Sequence, residues 1–206
     1  LFERWVMSKL VSGVGFNDKT RPSFRDGKPV KEYDLWRQML ERCFSEKCQT
    51  KFPTYKGCSV SANFLSYSFF YDWCHKQIGF GKVDEKGRSW CLDKDLLFVD
   101  NKTYSETTCV FVPNEINLFF TDRENDRGEY PVGVNFHKAT SKYASACSVG
   151  NGKRKHLGIY NTPQEAFFVY KAFKEAFCKQ LALKWKSEID PRVYEAIMKW
   201  EVSITS

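Results

Sequence analysis

Apolar residues follow two rhythms along this chain. Over residues 31–47, Tyr33, Trp36, Leu40, Cys43 and Phe44 recur at the helical period, while Arg37, Glu41 and Arg42 fill the opposite face. That spacing predicts an amphipathic helix. A second helix is predicted over about 62–77, with Phe64, Phe69, Phe70 and Trp73 as its apolar set. Residues 12–30, with Gly13, Gly15, Pro22, Gly27 and Pro29, predict loop or short extended pieces. Pro53 and Gly57 punctuate another loop, and 79–87 a third. Residues 90–98 read as strand or turn, and Cys109–Pro113 as a short buried strand. A brief helical turn over 113–120 follows, started by Pro113.

The last third changes to period two. Val132, Val134 and Phe136 alternate with Gly133, Asn135 and His137, the signature of a half-buried strand with the first three in the core. A second strand is predicted over 143–149, a turn at Gly150-Asn151-Gly152, and a third strand over 153–160. Thr162-Pro163-Gln164-Glu165 then supplies an N-cap, a first-position proline and a capping-box glutamate. Ala166, Tyr170, Phe173, Phe177 and Leu181 continue as a helical stripe, and Asp190-Pro191 opens a final helix with Tyr194, Ile197 and Trp200. The charged stretch 121–130 reads as a solvated boundary. The expected fold is α+β, in four parts: an extended segment 1–30, a helical region 31–88, a small middle region 89–127, and a three-stranded antiparallel sheet on a long helix plus a terminal helix, 128–206.

With 206 residues and 42% hydrophobic content, the chain can bury a core. No apolar run reaches the length of a membrane-spanning helix, and no basic stretch followed by an apolar block opens the chain. A cytoplasmic protein with no membrane partner is expected. Residue 1 is not Met, which is compatible with a further domain upstream. The net charge of +7 is uneven. Residues 1–60 hold 12 basic and 7 acidic side chains, 61–127 hold 8 and 11, and 128–206 hold 12 and 7. Both ends therefore attract a polyanion and the middle repels one, unless a metal ion sits there. The eight cysteines show no CxxC pair and read as reduced, buried thiols, with structural zinc as the alternative.

Two motifs carry little. Gly158-Ile159-Tyr160 matches half of a GIY-YIG nuclease name, but the other half occurs nowhere. Cys74 and His75 adjoin, yet neighbours on a helix point about 100° apart and do not face each other. No phosphate-binding glycine loop and no Ser/His/Asp set is present among only three histidines. The predicted sheet is more informative. With Leu157 buried, alternation places Asn135, His137, Arg154 and His156 on the face away from the helix, flanked by Lys138, Lys142, Lys153 and Lys155. A narrow antiparallel sheet fits the major groove of DNA, where polar side chains read base edges and lysines hold phosphates. A solvated sheet face is the competing explanation.

The blocks Tyr130-Pro131-Val132-Gly133-Val134, Lys142-Tyr143, Gly150-Asn151-Gly152-Lys153, Leu157-Gly158 and Thr162-Pro163-Gln164-Glu165-Ala166 resemble the APETALA2-type DNA-binding domain of phage homing endonucleases. Upstream, Leu92-Asp93-Lys94-Asp95, Asn101 and Asn117 resemble a degenerate HNH nuclease motif. Tyr33, Trp36, Met39-Leu40, Arg42-Cys43, Pro53, Tyr55, Gly57-Cys58 and Val60 are similar to the N-terminal helix and loop of the same proteins. The resemblance implies Asp93, Asp95 and Asn117 as the Mg²⁺ ligands of a nuclease. However, Lys94 stands where the general-base histidine belongs, and a lysine of ordinary pKa is protonated at pH 7. Ala144 and Ala146 occupy second-strand positions that are more basic or polar in the family. They can touch thymine methyls but cannot hydrogen-bond.

The expected function is sequence-specific binding of double-stranded DNA in a bacterial host cell, without cleavage, no catalytic residue and no cofactor, as a repressor or targeting factor. Asn135, His137, Lys142, Arg154 and His156 are the base-contact candidates, and Lys138, Lys153 and Lys155 the phosphate candidates. An Mg²⁺-dependent endonuclease is the first alternative. A protein-interaction or anti-defence factor working through the aromatic N-terminal helices is the second.

Overall fold

The computed structural model describes residues 10–121, 129–150 and 152–203. The fold is α+β, and the chain divides into two compact units, Leu1–Val83 with Trp90–Phe111, and Asp84–Ser89 with Val112–Ser206.

The first unit opens with a small antiparallel pair, β1 (Phe24–Arg25) and β2 (Lys28–Pro29), and continues into α1 (Lys31–Phe44) and α2 (Glu46–Lys51). The helix predicted over 31–47 divides because Ser45 is extended, and its side chain accepts the Cys48 N–H at 3.3 Å. A serine that caps a new helix ends the old one. β3 (Ser59–Val60) and α3 (Tyr67–Lys76) follow. α3 starts at Tyr67 rather than near 62 for the same reason, since Ser66 caps it and a single 3₁₀ turn, Asn63–Leu65, precedes it. β4 (Cys91–Asp93), β5 (Thr103–Tyr104) and β6 (Val110–Val112) close the region, with β3 parallel to β5 and β4 paired with β6.

Its core is aromatic. Trp36, Phe64, Tyr67 and Phe70 are fully buried. The Phe64 ring meets Trp73 at 4.8 Å and Phe70 at 5.1 Å, both edge-on. Such pairs add about 0.5–1.5 kcal/mol each beyond burial. The Trp36 indole N–H, which would otherwise be costly to bury, donates to the Phe64 carbonyl at 2.7 Å. Phe69, expected in this core, is turned outward and exposed.

The second unit contains α4 (Asn114–Phe120), β7 (Val134–His137), β8 (Lys142–Ser148), β9 (Arg154–Tyr160), α5 (Pro163–Trp185) and α6 (Pro191–Lys199). The three strands form an antiparallel sheet in the order β7-β8-β9. α5 covers one side, burying Val134 and Cys147 of the sheet against Ala166, Phe167 and Tyr170. The capping box forms as predicted. Thr162 Oγ1 accepts the Glu165 N–H at 3.2 Å, and Glu165 Oε2 accepts the Thr162 N–H at 3.2 Å. Asp190 caps α6 by accepting the Arg192 N–H at 2.8 Å.

Two glycines fix how tightly this unit closes. Gly133 has φ +79°, and a Cβ there would lie 2.1 Å from the Tyr170 ring. Gly158 has φ +130°, and a Cβ there would lie 2.7 Å from the Tyr160 hydroxyl. Gly158 also marks an irregularity. Ser145 pairs with Gly158 but Ala146 pairs with His156, so Leu157 is an extra residue on β9, a β-bulge.

Phe136 corrects the predicted core. It shares the Val134 side of β7 yet is 42% exposed, leaning on Tyr143 at 5.5 Å and Tyr130 at 6.4 Å. It sits near the end of a four-residue edge strand, past the residues that meet α5. Of the predicted boundary 121–130, residues 122–128 lie outside the described residues, as does Asn151 of the predicted turn. Around that turn the Lys153 N–H donates to the Gly150 carbonyl at 2.9 Å. Among the described residues no helix is long and apolar enough to cross a membrane.

Candidate nucleic-acid interface

Strand register decides which side chains share the open face of the sheet. Asn135 pairs with Ala144, which pairs with Ile159, and His137 pairs with Lys142. Beyond the bulge, Ala146 pairs with His156 and Ser148 with Arg154. The intervening residues Val134, Ser145 and Cys147 are buried toward α5. Because side chains alternate, their neighbours on β7 and β8 point the other way. Asn135, His137, Arg154 and His156 are therefore brought onto one face, as alternation predicts, and Lys142, expected at its flank, joins them opposite His137.

Three of the eight candidates lie elsewhere. Lys138 and Lys153 sit in the two turns, at opposite ends of the sheet, and both are exposed. Lys155 corrects the prediction: it pairs with Cys147 and belongs to the helix side, where its ammonium lies 4.7 Å from the Phe173 ring centre. Its stem is used to cover an aromatic ring. His137 is held by its turn, with Nδ1 2.9 Å from Thr140 Oγ1.

Charge on this module is one-sided. From Tyr130 to Gln164 the sequence carries Lys138, Lys142, Lys153, Arg154 and Lys155 and no Asp or Glu. Two acidic residues of the second unit instead meet lysines of α5, in Lys171–Glu175 at 2.6 Å and Lys184–Glu115 at 2.6 Å. On the exposed face Lys142 and Arg154 have no acidic residue in this segment, as contact with a phosphate backbone requires.

Sequence reasoning missed Ile159 and Ser148 on this face. Strict alternation outward from His156 turns Ile159 inward, and only the bulge at Leu157 brings it out, to 40% exposure. Gly158 was the available signal, since an isolated strand glycine marks a bulge.

The nuclease-like residues are arranged differently. Asp93 Oδ1 accepts the backbone N–H groups of Asp95 and Leu96, both at 2.8 Å. Burial pushes the Asp93 carboxyl up from its ordinary range against the pull of those two amides. Lys94 is only 6% exposed. Its ammonium donates to Asp95 Oδ1 and, at 3.0 Å, to the Asn101 carbonyl. Asn101 returns two bonds from Nδ2, to the Lys94 and Thr103 carbonyls at 2.7 and 2.8 Å. Asn117 lies on α4 in the second unit, whereas Asp93 and Asp95 belong to the first. One carboxylate caps a turn and the other faces an ammonium, so this pair does not fit a divalent cation, and no catalytic step follows from it.

His75 does not face Cys74; its Nε2 lies 2.8 Å from the buried Glu32 carboxylate. All eight cysteines are free thiols, and six are buried. Burial pushes the Cys43, Cys109 and Cys178 thiols up to about 12. Comparison with protein-family models, curated proteins and solved structures found no match to this chain.

Proposed function

We propose that this chain is a sequence-specific double-stranded DNA-binding protein that docks the open face of the β7–β9 sheet into the major groove. It acts without cleaving, as a transcriptional repressor or site-targeting factor. The observation that carries this reading is the convergence of Asn135, His137, Lys142, Arg154 and His156 on one exposed sheet face within a segment free of acidic residues. Arg154 and Asn135 are donors suited to guanine and adenine edges, and Lys138, Lys142 and Lys153 reach phosphates on either side. Lys155 contributes long-range charge from the other side of the sheet.

The test is selection of bound fragments from a random duplex pool at low salt, followed by incubation of the recovered duplex with protein and Mg²⁺. Retention of intact fragments is the expected result. Absence of retention at low salt overturns DNA binding, and fragmentation overturns the non-cleaving assignment. Lys142→Ala and Lys153→Ala each reduce the slope of log affinity against log salt by about 1 if they neutralise phosphates.

A further inference from the structure

The open sheet face is not uniformly polar. Its central strand presents Ala144 and Ala146, the two smallest side chains on that face, and Ile159 stands beside Ala144 in register. Longer side chains rise around them: Asn135 across from Ala144 on one edge, and His156 and Arg154 along the other. The face is therefore a shallow trough with an apolar floor. Among the described residues, the core of the second unit, Val134, Cys147, Ala166, Phe167 and Tyr170, lies on the opposite side of the sheet from this floor. Ile159 is 40% exposed although the adjacent Tyr160 packs inward.

Small side chains on the middle strand let a duplex approach closely, and a floor without donors or acceptors offers base edges only apolar contact. In the major groove only thymine presents a methyl group to such a surface, beside its O4 acceptor, while guanine, cytosine and adenine offer the floor no methyl to cover. Building on the DNA-binding reading above, we infer that Ile159, with Ala144 and Ala146, is a thymine-methyl pocket that sets sequence preference at the centre of the site. Asn135, next in that row, reads an adjoining base. The ligand class is a duplex with thymine beneath β8 and β9, and discrimination comes from a methyl group rather than a hydrogen bond.

The probe is a duplex recovered by selection with the full chain, in which each thymine is replaced in turn by deoxyuridine. This removes one methyl group and leaves the charge and hydrogen-bonding pattern of the base pair unchanged. At one or two central positions the replacement weakens binding roughly fourfold, the worth of one buried methyl. In Ile159→Ala the loss at one of those positions disappears while the others persist. Ile159→Thr keeps the β-branched shape that suits a strand and tests the same coupling should the alanine variant fold poorly. If every deoxyuridine duplex binds the wild-type chain as tightly as its thymine parent, the pocket is overturned and DNA binding stands. If selection recovers no duplex, the DNA-binding reading fails and the pocket with it.

Discussion

The first unit and the sheet of the second use charged side chains in opposite ways. In the first, several charges are matched to partners, some of them at the surface. Arg21 grips Asp72 with two bonds of 2.7 and 2.8 Å, Glu32 holds His75, and Lys94 sits almost buried against Asp95 and the Asn101 carbonyl. In the sheet of the second unit, Lys142, Arg154 and their neighbours have no carboxylate within their own segment. The net charge of +7 is therefore a poor guide to where a polyanion would bind, because a cation already holding an acid has little left to offer a phosphate. What matters is where the acids are missing.

That contrast can be broken by experiment. The largest effect belongs to the first unit. Trp36→Ala removes a fully buried indole and its bond to the Phe64 carbonyl, and should cost about 3–5 kcal/mol in urea unfolding. DNA affinity of the protein that stays folded should not change; a parallel fall would mean the interface is not confined to the sheet. Next comes a matched pair of charge deletions. Arg154→Ala should cost about 1–3 kcal/mol of DNA binding at one base position. Arg21→Ala, the same loss of one charge, should leave DNA affinity nearly unchanged because Asp72 already holds that guanidinium. Equal losses in a gel shift would erase the distinction between the units.

Alkaline pH probes both units together. The folded-state thiols of Cys43 and Cys109 in the first unit and Cys178 in the second are raised from about 9 to about 12. A raised thiol contributes stability that is fully present below the unfolded value and is lost as pH climbs through the folded one. Tm should thus fall progressively between about pH 9 and 12. A flat profile would show that these thiols ionise as freely folded as unfolded. The smallest effect concerns Ser145, fully buried on the core side of β8 with no hydrogen-bond partner for its Oγ among the described residues. Ser145→Ala removes an unsatisfied group, so calorimetry should find it neutral or stabilising by up to about 1 kcal/mol.

How legible each feature was depends on whether local chemistry decided it. Thr162, Pro163 and Glu165 announce the start of α5 because a capping box is complete within four residues. The alternation of Val134, Asn135 and His137 foretold the open face for the same reason. Boundaries inside the aromatic region were harder, since Ser45 and Ser66 interrupt helical periodicity without disturbing the hydrophobic pattern. The inward turn of Lys94 was hidden too. It rests on Asn101, seven residues away, whose amide is tied to the Lys94 and Thr103 carbonyls by tertiary folding. Phe136 and Lys155 were misplaced because a strand's alternation says which side a residue takes, not how far the covering helix extends or what waits there.

The bulge on β9 has a consequence for parity. His156 and Ile159 are three residues apart, an odd interval that sends two side chains of a regular strand to opposite sides. The one unmatched residue resets the count, so that a polar and an apolar side chain from one strand look the same way. Were Leu157 instead to take a regular partner on β8, everything beyond it would exchange sides and Ile159 would turn inward; deleting it would leave His156 and Ile159 on the same side. The surplus residue acts as a spacer in a two-beat code, and the composition of the open face depends on its staying unpaired.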